Sequence, residues 1–205
     1  MIYRPARQFE NRRMKLSTML IYMFLAPVMT GAQEILADTS SPRVRVVTTL
    51  GSFVIELNRE RAPFTVDNFL QYVNEDHYEG TVFHRVIQGF VAQTGGYTED
   101  FQLKPVERSV VNESGNGLSN MRAMVGLARA ADPHSGNAQF YINLTDNLDL
   151  DPRPTRWGFT VFGTVVEGME VVDEIGHRPT GAGGPFDRNV PADTIVIQRV
   201  EELAE

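Results

Sequence analysis

The chain has 205 residues, 42% hydrophobic and 22% charged, enough for one well-cored globular domain plus a tail. It contains no cysteine, which excludes disulfides, thiolate catalysis and cysteine-ligated zinc. Its net charge of −7 leaves no surplus of Lys and Arg to neutralise phosphates, so nucleic acid is not an expected partner.

The first segment has the layout of an export signal. Arg4, Arg7, Arg12, Arg13 and Lys15 precede an apolar run from Leu16 to Met29, and the small residues Thr30-Gly31-Ala32 follow. The run falls short of the roughly 20 apolar residues that a spanning helix needs, so no stable membrane insertion is expected after processing. Residues 1–32 are therefore expected to be a signal peptide, and the mature protein to be secreted across the inner membrane into the periplasm. Cleavage would remove five basic residues and Glu10, taking the net charge from −7 to −11. Residues 33–42 are expected to be a flexible, proline-containing lead-in, and the folded domain is expected over 43–202.

Val44 to Leu50 is rich in β-branched residues, Gly51-Ser52 signals a turn, and Phe53, Ile55 and Leu57 alternate with Val54 and Glu56. This pattern predicts a β-hairpin with one buried face. From Pro63 to Val73 the period changes: Val66, Phe69, Leu70 and Val73 form one helical stripe, with Thr65 as the expected N-cap. Short strands are expected at Thr81–Val86, Phe90–Thr94, Met124–Ala128, Gln139–Asn143, Phe159–Val165 and Thr194–Val200. A polar loop spans 98–120, a second helix covers Gly168–Ile175, and Thr180–Pro185 reads as a surface loop. About eight short strands and two helices with no βαβ rhythm predict a mainly β fold: a closed antiparallel eight-stranded β-barrel capped by two α-helices, since closure removes exposed strand edges.

Four stretches carry the chemistry. The first runs from Phe83-His84-Arg85 to Gln93, and places a cation and an amide among apolar and aromatic residues. The others are Gly126-Leu127-Ala128-Arg129-Ala130, Ala138-Gln139-Phe140-Tyr141-Ile142-Asn143 and Trp157-Gly158-Phe159-Thr160-Val161-Phe162-Gly163. Strand alternation puts Val91 and Gln93 on one face and turns His84 away from Arg85. The four histidines show no ligand spacing, so no metal is expected. Phe83, Phe140 and Phe162 are expected in the core.

In this order and spacing, the stretches resemble the cyclophilins, the peptidyl-prolyl cis-trans isomerases, from about Arg43 to Val200. Asn116-Gly117-Leu118-Ser119-Asn120 looks most like bacterial members. The resemblance implies an enzyme that needs no cofactor, acts as a monomer and works on proline-containing polypeptides. It implies that Arg85 donates to the proline nitrogen and that Gln93 holds Arg85 and the substrate backbone. It also implies that Phe90, Val91, Tyr141, Leu150 and Phe159 bury the proline ring, and that the backbone at Ala128 and Arg129 pairs with the peptide. The chain departs from the best-known eukaryotic pattern at Phe159, where those members have a histidine, and at Asn147–Leu150, where they have a tryptophan. The second departure implies weak cyclosporin binding. The alternative reading is a chaperone module that holds proline segments with little turnover.

Overall fold

The structure, a computed structural model, describes residues 41–204; the expected signal peptide and nearly all of the lead-in lie outside the described residues. The expected hairpin is β1 (Arg43–Thr48) paired with β2 (Gly51–Leu57), and it buries Val44, Val46, Phe53, Ile55 and Leu57. Next comes α1 (Pro63–Asn74), whose stripe enters the core. The Phe69 ring meets Tyr78, Phe140 and Phe162 at centroid distances of 5.1, 5.4 and 5.3 Å.

The start of α1 differs from expectation. Its N-cap is Ala62, which has no side-chain acceptor, and Thr65 lies inside the helix. The cap comes instead from Glu113, far along the chain. Its carboxylate accepts the N–H groups of Phe64 (3.2 Å) and Thr65 (2.8 Å) and the Thr65 hydroxyl (2.6 Å). Local sequence signals cannot reveal a cap delivered from a loop 48 residues away.

The remaining elements are β3 (Arg85–Ile87), β4 (Val91–Thr94), β5 (Met124–Leu127), β6 (Phe140–Asn143), a 3-10 turn (Leu148–Leu150), β7 (Val161–Glu167), α2 (Met169–His177), β8 (Thr180–Gly183), β9 (Phe186–Pro191) and β10 (Ile197–Leu203). Eight strands form one antiparallel sheet in the order β10-β1-β2-β7-β5-β6-β4-β3. The sheet curls until its edges meet. Val82 bridges Val196, Phe83 N–H donates to Ile195 C=O at 3.0 Å, and Gly80 N–H donates to Ile197 C=O at 2.9 Å. The barrel is thus joined just beside β3 and β10, which satisfies backbone groups that open edges would leave unpaired. Helix α1 packs against β10, and α2 against β2, β3 and β4.

The segment read as a surface loop at 180–185 contributes one strand, β8, and the turn of a second, two-stranded sheet, β8–β9. Its glycines give no alternation to detect. What anchors it is tertiary: Phe186 stacks on His84 at 5.6 Å and meets Tyr97 edge-on at 5.1 Å. His84, turned away from Arg85 as expected, is buried in this aromatic cluster.

Candidate active site

Strand register builds the site. Residues 88–90 join β3 to β4, and Gly89 takes φ +69°, a left-handed conformation that suits glycine in a three-residue hairpin loop. The loop sets Arg85 directly opposite Gln93. Gln93 faces Tyr141 across β4–β6, and Tyr141 faces Gly126 across β5–β6. One row of residues therefore crosses four strands on the sheet's outer surface. The intervening residues Val86, Ala92, Phe140, Ile142, Val125 and Leu127 point into the core. At Gly126 the missing side chain matters, because a Cβ there would lie 2.2 Å from Tyr141 Cζ.

This row borders a cavity of about 300 Å³ lined by Arg85, Phe90, Val91, Gln93, Ala128, Arg129, Tyr141, Leu150 and Phe159. These are the nine residues nominated from sequence, brought together from β3, β4, β6, the Leu148–Leu150 turn and three loops. A volume of this size accepts a five-membered ring and part of its flanking chain. Tyr141 and Phe159 meet edge-on at 6.1 Å and form a hydrophobic corner.

Arg85 is the polar group at the mouth. Its Nη1 donates to Gln93 Oε1 at 3.1 Å, and its guanidinium carbon sits 5.9 Å from the centre of the Phe90 ring. Among the described residues no carboxylate pairs with it. Burial lowers its pKa from the usual very high value, the expected direction for a cation losing water without gaining an anion. A guanidinium keeps its proton at neutral pH even so. Gln93 in turn donates from Nε2 to Gln139 Oε1 at 3.1 Å, which fixes its amide so that oxygen faces Arg85. Sequence reasoning passed over Gln139. Its signal was present, since alternation places it on the same face as Tyr141.

Arg129 does more than its backbone role required. Its guanidinium lies 4.5 Å over the Phe159 ring and donates to the carbonyls of Ala130 (2.9 Å), Trp157 (3.0 Å) and Gly158 (3.2 Å). It forms the partition between the first cavity and a second recess of about 270 Å³ lined by Gln93, Ala128, Arg129, Ala130, Ser135, Asn137 and Gln139. Trp157 stays outside both and packs its half-exposed ring against His134 at 5.3 Å. Of the Asn147–Leu150 segment, Leu150 lines the cavity, while the Asp149 side chain is 92% exposed. Among the described residues, no three histidine or carboxylate side chains are grouped to hold a metal ion.

The fold and site define a curled β-barrel that sets Arg85, a cation with no carboxylate partner among the described residues, beside an apolar ring-sized cavity. The sequence model of the cyclophilin type peptidyl-prolyl cis-trans isomerases matches residues 43–202, and the chain belongs to this family. It is 42% identical over 170 residues to peptidyl-prolyl cis-trans isomerase A of Dickeya dadantii, covering 83% of this chain and 89% of that one. It is 42% identical to peptidyl-prolyl cis-trans isomerase B of Escherichia coli, covering 75% and 94%. Among solved structures, a Cryptosporidium parvum cyclophilin type isomerase, determined in the presence of the dipeptide Ala-Pro, superposes with a TM-score of 0.65 at 23% identity, covering 80% and 99%. At that identity the likeness concerns the fold.

Proposed function

We propose that the protein catalyses cis–trans isomerisation of Xaa-Pro bonds in polypeptides, and that its clients are exported proteins during folding. The observation that carries this reading is Arg85: a half-buried cation, oriented by a neutral amide, with no acid paired to it among the described residues, at the edge of an apolar cavity.

The chemistry follows from the bond. The barrier to rotation about a peptide C–N bond is about 18–20 kcal/mol because resonance gives it double-bond character. Twisting destroys that resonance, and the proline nitrogen becomes pyramidal and gains a lone pair. No nucleophile or proton transfer is required, only a site that favours the twisted form. The cavity would hold the pyrrolidine ring among Phe90, Val91, Tyr141, Leu150 and Phe159, and burial of an apolar group of that size contributes about 1.5–3 kcal/mol. Arg85 would then donate to the nitrogen lone pair, an interaction that the planar amide cannot accept well. Gln93 holds the guanidinium in place and, lining the same cavity, would bond the substrate backbone. Ala128 and Arg129 line the same cavity, where their backbone can pair with the peptide.

All nine lining residues come from this chain, so a monomer suffices for the proposed reaction. Export is supported by the basic, apolar and small-residue order of residues 1–32; no helix among the described residues is long and apolar enough to cross a membrane. Isomerisation of a proline-containing peptide, followed by magnetisation-exchange NMR, tests the activity. Catalytic amounts of protein should accelerate exchange. Peptide binding without acceleration would replace the enzyme with a holding module.

A further inference from the structure

Behind the apolar side of the cavity lies a buried polar cluster that the isomerisation step does not use. Its centre is Asn120, which is wholly buried. Asn120 Oδ1 accepts the Tyr141 hydroxyl at 2.7 Å and Asn143 Nδ2 at 3.3 Å. Its Nδ2 and its backbone N–H both donate to Asp151 Oδ1, at 2.9 and 2.8 Å. Its backbone carbonyl accepts the Asn147 N–H at 2.7 Å. Asn147 passes the tie onward: its Nδ2 donates to the Phe90 carbonyl at 2.9 Å, and its own carbonyl accepts the Leu150 N–H at 2.8 Å.

Both backbone and both side-chain polar groups of Asn120 are therefore occupied. An amide in the protein interior is costly unless satisfied, and a fully satisfied network is rigid. The ties run to one side of the cavity only. Tyr141 is bonded directly, Leu150 is reached through Asp151 and Asn147, and Phe90 through Asn147. Among the described residues, no hydrogen bond joins Asn120 to Arg85 or Gln93. A phenylalanine at 141 would provide the same ring, so the hydroxyl has a separate use. Burial, followed by the nearby Asp151 carboxylate, pushes its pKa up, which keeps it a neutral donor directed at Asn120.

We propose that Asn120 is a positioning residue for the proline cavity. By holding Tyr141, Asp151 and Asn147 together, it sets the spacing between the strand floor and the Leu148–Leu150 wall. It thereby governs how tightly the proline ring is bound, and leaves the donor function of Arg85 alone. This rests on the isomerase reading above.

The test measures kcat and KM by NMR exchange on an Ala-Pro tetrapeptide, and the peptide's Kd by NMR titration, with folding checked by thermal unfolding. Asn120→Ala should raise KM and Kd about tenfold while kcat stays within twofold. Asn120→Asp faces the Asp151 carboxylate and should be at least as damaging. Adding Asp151→Asn to it restores a donor–acceptor pair and should return Kd to within about threefold of native. If Asn120→Ala does not fold, Asp151→Ala, at the half-buried end of the same link, carries the same expectation. Unchanged Kd in folded Asn120→Ala or Asp151→Ala, a loss confined to kcat, or failure of the swapped pair to recover would overturn the proposal. The titration reads the cavity even if the native protein proves not to isomerise the peptide, so the two readings fail separately.

Discussion

Replacing Arg85 by alanine isolates the proposed electrostatic contribution. The side chain is half-buried and makes one hydrogen bond, to the neutral Gln93, so its removal strands no carboxylate. The fold should lose little: an unpaired Gln93 amide at the cavity mouth can turn to water, and its second bond, to Gln139, remains. The ring-binding residues are untouched, so the peptide's Kd should change by less than about threefold. The rate is different. A preorganised donor acting on charge that develops only in the transition state is worth about 3–4 kcal/mol, judged from oxyanion-hole donors. At about 1.4 kcal/mol per decade, this predicts a fall in kcat/KM of roughly 140- to 700-fold, carried by kcat. Arg85→Lys should recover only part of it, because an ammonium cannot bond Gln93 and reach the nitrogen as a fixed planar fork does. The assay is NMR exchange on an Ala-Pro peptide, backed by a protease-coupled measurement. Arg85→Ala protein that folds, binds peptide and retains more than a tenth of native kcat/KM would refute the electrostatic account.

Burial, reinforced by neighbouring Arg85, lowers the His84 pKa from 6.5 to about 4, even with the Val82 carbonyl and Gln139 side chain nearby; its Nδ1 makes no hydrogen bond of ordinary geometry. The unfolded chain therefore takes up a proton first as pH falls. Stability should be full above pH 6.5 and decline towards pH 4 by up to about 3 kcal/mol, and His84→Phe should flatten that slope in urea titrations. Glu113→Ala removes the cap of α1 and leaves buried Thr65 without its acceptor. The expected cost is about 2 kcal/mol, read as a Tm lowered by roughly 4–8 °C. Gly126→Ala should displace the Tyr141 ring and raise KM several-fold, with kcat little affected. Cyclosporin should bind weakly in isothermal titration, since the Asn147–Leu150 segment offers no indole N–H and Trp157 stands outside the cavity. N-terminal sequencing of protein from the producing cell should find the segment before Gln33 removed; an intact N-terminus on soluble cytoplasmic protein would argue against export.

Much of the site was legible because it is written in strand periodicity. Once residues 83–94 are read as two strands, alternation alone puts Val91 with Gln93 and separates Arg85 from His84, and the motif order supplies the partners on β6 and beyond. Leu150 was nominated from a loop and does line the cavity, although the 3-10 turn that presents it leaves no periodic trace. What remained hidden depends on pairing across long sequence distances. The Glu113 cap on α1 joins two segments that no local pattern connects. The β8–β9 hairpin owes its place to Phe186 docking on His84, not to its own glycine-rich sequence. Asn120 sits in a polar loop where asparagine looks like turn chemistry, and only the folded chain shows it buried beneath Tyr141.

The two halves of the site are built differently because they do different work. Arg85 must keep a full charge with little water around it and no anion to satisfy it, so it stands on a short strand pair and is steered by neutral amides, Gln93 and then Gln139. A carboxylate in place of Gln93 would orient the guanidinium equally well, but it would also neutralise the field that the twisted amide is meant to feel. The apolar half has the opposite requirement: its shape must be exact and its charge irrelevant. There the chain can use a carboxylate, Asp151, provided it lies behind the wall and is occupied by Asn120. Converting Gln93 to glutamate should therefore abolish most of the rate while preserving Arg85's geometry, whereas Asp151→Asn, which keeps the acceptor for Asn120, should leave both kcat and KM near native values. Exchange kinetics on the two variants measure this contrast directly, and equal losses in both would show that the separation of charge from shape is wrong.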